Sequence, residues 1–221
     1  MNFLKIKNFL LVFLIIFSYL ISVVKTYAVD ITADRTISSS SDGDQYNIKT
    51  NNDIDVIVTN NSTLERNQKI FNVSASSLTG SSITIHLGSS VIAETNSIFS
   101  NGAELTITNT GTIEATNSKA INVSNSDGVS ITNNNNGVIK SNNNTILGDA
   151  GTGADNVTID NSGEIYTTAT GTESSAIVFA NNDTGNTITN NSGGEIYSSG
   201  SESTIVLGVS STLTNSGSIK N

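Results

Sequence analysis

The amino-acid sequence predicts an all-β protein that folds as a right-handed parallel β-helix, with three short strands in each of about six coils. The first observation is a phrase of the form apolar-Thr-Asn-x-Gly-x-Ile, which returns five times between Leu105 and Ile219. The second is its spacing, because successive copies follow one another at intervals typical of stacked repeats. The third is the absence of proline, which would remove donors from a strand ladder. The isoleucines that close the five copies are Ile113, Ile139, Ile165, Ile196 and Ile219.

The first 28 residues are predicted to be a secretory signal peptide and not part of the fold. Lys5 and Lys7 form a positive region, the run from Phe9 to Ile21 is apolar apart from one serine, and Ala28 supplies a small residue for cleavage. The alternative is an uncleaved membrane anchor, but the run is shorter than the roughly 20 residues that a spanning helix needs. No later stretch is apolar enough to cross a bilayer.

Removal of residues 1–28 makes the chain strongly acidic. Three lysines leave with the signal, so seven basic and 19 acidic residues remain and the net charge is 7 − 19 = −12. Such a charge repels phosphate backbones, which argues against a nucleic-acid partner. The chain has no cysteine and therefore no disulfide or thiolate metal site.

The rest of the chain is predicted to consist of a cap segment, residues 29–52, and β-helix repeats over residues 53–221. In the first repeats, Ser82–Leu87 alternates cleanly, which places Ile83, Ile85 and Leu87 on one face of a strand. Each later repeat has a first strand before the Asn-Gly turn, a second strand at the closing isoleucine, and a more apolar third strand. The third strands are expected at Ala120–Val123, Thr145–Leu147, Ala176–Phe179 and Thr204–Leu207.

The turns between the first and second strands are predicted to form a ladder of stacked asparagines and glycines. Each asparagine lies two residues before a glycine, which suits a turn because asparagine bonds its own backbone and glycine adopts left-handed conformations. Stacking at about 4.8 Å would also let the amides bond from coil to coil. The ten positions are Asn109, Gly111, Asn135, Gly137, Asn161, Gly163, Asn191, Gly193, Asn215 and Gly217.

The same stacking predicts a column of outward side chains, called here the surface column. Its members each follow a closing isoleucine, and they are Glu114, Lys140, Tyr166, Tyr197 and Lys220. Opposite charges or aromatic rings on neighbouring strands attract each other. Glu164 and Glu195 precede their isoleucines and should stand one coil apart.

No catalytic, cofactor or metal site is predicted. His86 is the only histidine, so a metal site of several histidines is excluded. We expect His86 to face solvent. Parallel β-helices include polysaccharide-cleaving enzymes that use clustered carboxylates, and the candidates for such chemistry are Glu114, Asp160, Glu164 and Glu195. No cluster of basic residues accompanies them, which favours an ordinary solvated surface.

The repeats, exemplified by Leu105–Ile113 and its copies behind a signal peptide, resemble the passenger region of bacterial autotransporters. The resemblance covers residues 105–219 most clearly. It implies a β-helix at the cell surface or outer membrane, commonly an adhesin. The translocator barrel of that family is not recognisable before Asn221, so we expect a truncated or split passenger, or a stack that another chain completes.

These observations predict a secreted or surface-exposed, non-enzymatic protein that acts in adhesion or as a scaffold, with a host-cell or glycan surface as partner. If the translocator is missing, the protein would stay in the periplasm. Self-association through an open C-terminal edge is a further expectation. The alternatives are a polysaccharide lyase or hydrolase of the β-helix type, and a non-functional fragment of a longer autotransporter.

Overall fold

The computed structural model describes residues 28–49, 53–59, 61–74, 79–102, 104–148 and 153–221, and all regular structure within them is β. The strands are β1 (Ala28–Ile31), β2 (Arg35–Ile37), β3 (Ser41–Asp42), β4 (Gln45–Ile48), β5 (Asp55–Val58), β6 (Thr63–Arg66), β7 (Phe71–Val73), β8 (Ser81–Ile85), β9 (Ser90–Ala93), β10 (Ile98–Ser100), β11 (Leu105–Asn109), β12 (Thr112–Ala115), β13 (Ile121–Asn122), β14 (Ser130–Asn133), β15 (Val138–Ser141), β16 (Ile146–Leu147), β17 (Thr158–Asn161), β18 (Glu164–Thr167), β19 (Ile177–Val178), β20 (Thr187–Asn190), β21 (Glu195–Tyr197), β22 (Ile205–Val206), β23 (Thr212–Asn215) and β24 (Ser218–Lys220).

The strands form three parallel sheets of eight strands each, which confirms the predicted parallel β-helix with three strands per coil. Sheet A contains β1 and every third strand after it, sheet B starts in the same way from β2, and sheet C from β3. Each strand therefore pairs with the strands one coil before and one coil after it, except for the first and last strand of each sheet, which have one partner. A coil cannot bury its own apolar side chains, so the core exists only because coils stack.

The core is a set of columns of inward side chains that run along the stack. The five closing isoleucines are Cα partners in consecutive coils of sheet C, as the repeat predicted. The first four of them are 0 % exposed. Burial of each side chain of this size contributes about 1.5–3 kcal/mol, so the columns are the main source of stability.

The predicted signal peptide lies outside the described residues except for Ala28, which opens β1. The cap segment is built into the stack, because β1–β4 lie before residue 53 and the other 20 strands lie in residues 53–221. Arg35 of β2 is the Cα partner of the buried Val56 and therefore stands on an inward column. Its guanidinium carbon lies 5.4 Å from the ring centroid of Tyr46, which is itself buried. A cation thus covers the end of the apolar core.

The prediction that Leu87 shares the strand face of Ile83 and Ile85 is wrong. Ile83 and Ile85 are buried as expected, but β8 ends at Ile85 and Leu87 is 63 % exposed. The chain turns immediately afterwards, where the N–H of Ser89 donates to the carbonyl of His86 at 3.0 Å. Alternation of side chains holds only while the backbone stays extended, so it could not be carried through the turn.

A buried asparagine ladder runs along the turns, but two of its members differ from the prediction. The side-chain amide of each of the first four members donates to the amide oxygen of the asparagine in the next coil at 2.8–2.9 Å. The members are Asn109, Asn133, Asn161, Asn190 and Asn215.

Asn133 and Asn190 replace the predicted Asn135 and Asn191 because the second and fourth turns are longer. In these turns the ladder asparagine lies four residues before the bonded carbonyl of its glycine, whereas elsewhere it lies two residues before it. Strand pairing keeps Asn133 opposite Asn109 and leaves Asn135 exposed in the extended turn. Cross-strand register, not distance to the glycine, selects the residue.

The sequence predicted that the ladder glycines adopt a left-handed backbone. They are instead required because the backbones of neighbouring coils approach closely. A Cβ on Gly163 would lie 2.2 Å from the carbonyl oxygen of Gly137 in the preceding coil. Gly217 meets the carbonyl of Gly194 at the same 2.2 Å, so Gly194 and not Gly193 belongs to this row. Gly193, with φ +90°, is instead the left-handed residue of its longer turn.

Candidate functional site: the outward face of sheet C

The surface column lies on the outward face of sheet C, as the sequence predicted. Its five members are Cα partners in consecutive coils. Because outward and inward residues alternate along each strand, the buried isoleucine columns hold these side chains at the strand spacing of about 4.8 Å. The result is a regular row in which charged and aromatic groups occupy fixed places.

Two pairs of neighbouring side chains in this row contact each other, and the last member contacts a carboxylate beside the row. Lys140 Nζ lies 3.0 Å from Glu114 Oε2, and the rings of Tyr166 and Tyr197 stack with centroids 4.5 Å apart and planes 6° apart. Lys220 Nζ lies 3.2 Å from Glu195 Oε1. Ion pairs with this degree of exposure contribute at most about 1 kcal/mol each. They partly offset the negative charges of Glu114 and Glu195.

Glu164 and Glu195 are Cα partners, so the predicted pair of carboxylates does stand one coil apart. The hydroxyl of Tyr197 donates to Glu164 Oε2 at 3.2 Å. Burial, followed by the negative charge of Glu164, raises the pKa of Tyr197 well above its ordinary value. Tyr197 therefore remains a neutral hydrogen-bond donor, and each carboxylate has a partner that reduces their mutual repulsion.

Two shallow depressions flank the tyrosine pair. The residues that line one of them include Thr116, Asn142 and Thr168 together with Glu114, Lys140 and Tyr166. The other is formed by the Asn-Gly turns, and Glu164 and Glu195 lie on its border. The face thus offers hydroxyl, amide and carboxylate groups on both sides of an aromatic ridge.

Three polar residues of this face were not predicted from the sequence: Thr116, Asn142 and Thr168. All three are exposed, and each lies two positions after a member of the surface column. A spacing of two residues keeps side chains on the same face of a strand. The alternation that located the surface column could therefore have located this second column as well.

The other predicted candidates do not join this face. Asp160 is outward on sheet B, where it pairs with Thr189 and accepts a hydrogen bond from the Asn191 amide. His86 is exposed, as expected, and its Nδ1 lies 3.1 Å from the hydroxyl of Thr59. The four candidate carboxylates are therefore not gathered into one cluster.

No group of three or more His, Cys, Asp or Glu side chains is placed to hold a metal ion within the described part of the chain. The same residues include no helix that is long and apolar enough to cross a membrane. Comparison with known proteins gives no match: no family model matches the chain, and neither does any curated protein or solved structure. The fold and the outward face of sheet C are therefore the basis for any functional assignment.

Proposed function

We propose that the protein is a secreted or surface-exposed, non-enzymatic adhesin that binds glycan through the outward face of sheet C. The observation that carries the proposal is the stacked pair of Tyr166 and Tyr197 between polar depressions. A tyrosine presents apolar surface together with a polar hydroxyl, which suits a sugar that has both C–H groups and hydroxyls. The neighbouring carboxylates, amides and threonine hydroxyls supply acceptors and donors for the sugar hydroxyls.

The charge of the chain narrows the class of glycan. With seven basic and 19 acidic residues beyond Ala28, the field around the protein is negative. Lys140 and Lys220 on this face are already paired with carboxylates. Sulfated or sialylated glycans would be repelled, so a neutral glycan of a host-cell surface is the proposed ligand.

The resemblance of the repeats to autotransporter passengers supports the same function. Long parallel stacks provide a stiff rod with a repetitive side surface, and extended faces of this kind serve repeat proteins as binding surfaces. The predicted signal peptide would export the chain to the place where such a surface meets other cells. We propose that the protein acts there as an autotransporter-type adhesin or surface scaffold.

The test is a binding assay of the purified chain on immobilised neutral and acidic glycans and on host cells. Tyr166→Ala together with Tyr197→Ala should weaken binding by about tenfold or more, because aromatic anchors dominate such contacts. Phe99→Ala is the control. Phe99 is an aromatic residue of sheet A, where its strand pairs with a strand on each side, and it is not part of the outward face of sheet C. Absence of binding to every neutral glycan, or equal binding by both variants, would contradict the proposal.

The second candidate function is polysaccharide cleavage, which the adjacency of Glu164 and Glu195 favours. Retaining glycosidases use two carboxyl groups about 5–5.5 Å apart, close to the spacing of neighbouring strands. The glycans that bind should be incubated with the protein and analysed for new reducing ends and unsaturated products. Cleavage that disappears in Glu164→Ala and in Glu195→Ala would replace adhesion by enzymatic action as the function of this face.

A further inference from the structure

Three polar side chains line the depression beside Tyr166, and each belongs to the residue that follows β12, β15 or β18. They are Thr116, Asn142 and Thr168, called here the polar column. The N–H of Asn142 donates to the carbonyl of Ala115 at 3.1 Å. The N–H of Thr168 donates to the carbonyl of Ser141 at 2.8 Å, so the ladder continues past the strand ends. The polar column is therefore in register, with the asparagine between two threonines.

The members of the polar column differ in how their hydrogen-bonding groups are used. The hydroxyls of Thr116 and Thr168 donate to backbone carbonyls of the preceding coil, at 3.5 and 3.2 Å. Asn142 is exposed, and within the described part of the chain its side-chain amide has no hydrogen-bond partner. An asparagine amide carries two donor hydrogens and an acceptor oxygen. Asn142 thus offers a ligand both a donor and an acceptor.

Tyr166 supplies an apolar wall to the same depression. Its ring stacks on that of Tyr197, which belongs to the next coil and does not line this depression. The depression therefore lies on the side of Tyr166 that faces away from Tyr197. Among the described residues that line the second depression, none is aromatic. The C–H groups of a sugar ring need an apolar partner, so the depression beside Tyr166 is the better sugar site.

The depression beside Tyr166 has no net charge and is small. Its two charged groups are Glu114 and Lys140, whose Oε2 and Nζ atoms lie 3.0 Å apart. Their opposite charges offset each other, so the site does not attract an anionic group. Its volume is about 320 Å³, at the lower end of the range of about 300–1,000 Å³ for ligand sites. This size suits one sugar residue of a neutral glycan.

From these observations we propose that the depression binds a sugar residue that carries an acetamido group, and that Asn142 recognises this group. The inference rests on the proposed glycan-binding function and names the class of sugar. An acetamido group presents an N–H and a carbonyl on separate atoms, and these complement the oxygen and the NH₂ of an asparagine side chain. A hydroxyl in the same place offers a single oxygen for both bonds. It also has no methyl group to place beside the threonine methyls of the polar column.

The experiment compares pairs of neutral oligosaccharides that differ only in the acetamido group, using isothermal titration calorimetry. One pair consists of N-acetylglucosamine and glucose oligomers of the same linkage and length. A second pair consists of N-acetylgalactosamine and galactose oligomers. In at least one pair, wild-type protein should bind the acetamido sugar about tenfold more tightly, because two further hydrogen bonds of ordinary strength account for such a factor.

Asn142→Thr tests the residue that is proposed to recognise the acetamido group. Threonine occupies the same place in the two neighbouring coils, so this change should leave the fold intact. The variant should bind both sugars of a pair equally, with the affinity that wild-type protein has for the hydroxyl sugar. Asn182→Thr is the matched control, since Asn182 is an exposed asparagine in the turn after β19, and it should keep the wild-type preference. Circular dichroism of each variant should match that of the wild type.

The outcomes separate this inference from the proposed function. Equal binding of both sugars in every pair by the wild type would overturn the inference, while adhesion to glycan would stand. A preference for the acetamido sugar that persists in Asn142→Thr would also overturn it, because another group would then make the distinction. Absence of binding to every oligosaccharide would overturn both proposals. Loss of the preference in Asn142→Thr, with binding of the hydroxyl sugar retained, would support the inference.

Discussion

Replacing Asn133 by alanine should strongly destabilise the protein, whereas the same change at Asn135, two residues later, should not. Asn133 is 1 % exposed and forms the second step of the asparagine ladder. Its amide donates to Asn161 Oδ1 at 2.8 Å and to the carbonyls of Gly137 and Glu164 at 3.1 Å each. Its oxygen accepts the amide of Asn109 at 2.9 Å.

The magnitude follows from which partners the change leaves unbonded. The Asn109 amide keeps two backbone acceptors, the carbonyls of Gly111 and Val138. Asn161 Oδ1 loses the donor that Asn133 supplied, and a buried polar atom without a partner costs about 1–3 kcal/mol. The lost hydrogen bond between Asn133 and Asn161 itself adds about 0.5–1.5 kcal/mol, so the free energy of unfolding should fall by about 1.5–4.5 kcal/mol. Asn135 is exposed, and its truncation should change stability by less than about 0.5 kcal/mol.

The assay is urea unfolding of both variants and the wild type, followed by circular dichroism at the β-sheet minimum. A lower midpoint with an unchanged slope reports a loss of stability and not a change in the extent of unfolding. If Asn135→Ala lowers the midpoint as much as Asn133→Ala, the assignment of the ladder is wrong. If neither variant changes it, the buried amide bonds do not contribute to stability and the reasoning fails.

Three further predictions concern stability and pH. Gly163→Ala should destabilise the fold by about 1–3 kcal/mol, because its Cβ would lie 2.2 Å from the carbonyl oxygen of Gly137. Gly171→Ala is the control: no atom lies within 4 Å of its Cβ, so the change should be neutral or stabilising by about 0.4–1 kcal/mol. Thermal unfolding of both variants measures the difference. Because the folded-state pKa of Tyr197 is raised above its ordinary value of about 10, the unfolded chain releases the proton first. Stability should therefore fall as the pH rises above about 10, and urea midpoints of Tyr197→Phe should show a smaller decline. Arg66 is buried, and its Nε and Nη1 lack hydrogen-bond partners among the described residues. Arg66→Met should therefore raise the free energy of unfolding by about 1–3 kcal/mol. A lower urea midpoint for this variant would refute the prediction.

The repeat architecture was predictable because its signals are local. Alternation of side chains along an extended strand requires only the neighbouring residues, so Ile107 and Ile113 could be assigned to the core without a structure. Alignment of the copies on their closing isoleucines then paired Ile113 with Ile139 and, on the outer face, Tyr166 with Tyr197. The carboxylate pair beside the tyrosines followed from the same alignment.

The sequence by itself therefore determined the three strands of the later coils, the inward isoleucine columns and the outward surface column. Stacking of the coils decided the rest. It selected Asn133 over Asn135, because pairing with the preceding coil sets the register while a turn of variable length absorbs the difference. It also made Gly163 necessary, since the carbonyl that excludes a Cβ comes from a residue 26 positions earlier. Contacts between coils depend on distances across the stack, and those distances cannot be read from the spacing of residues along the chain.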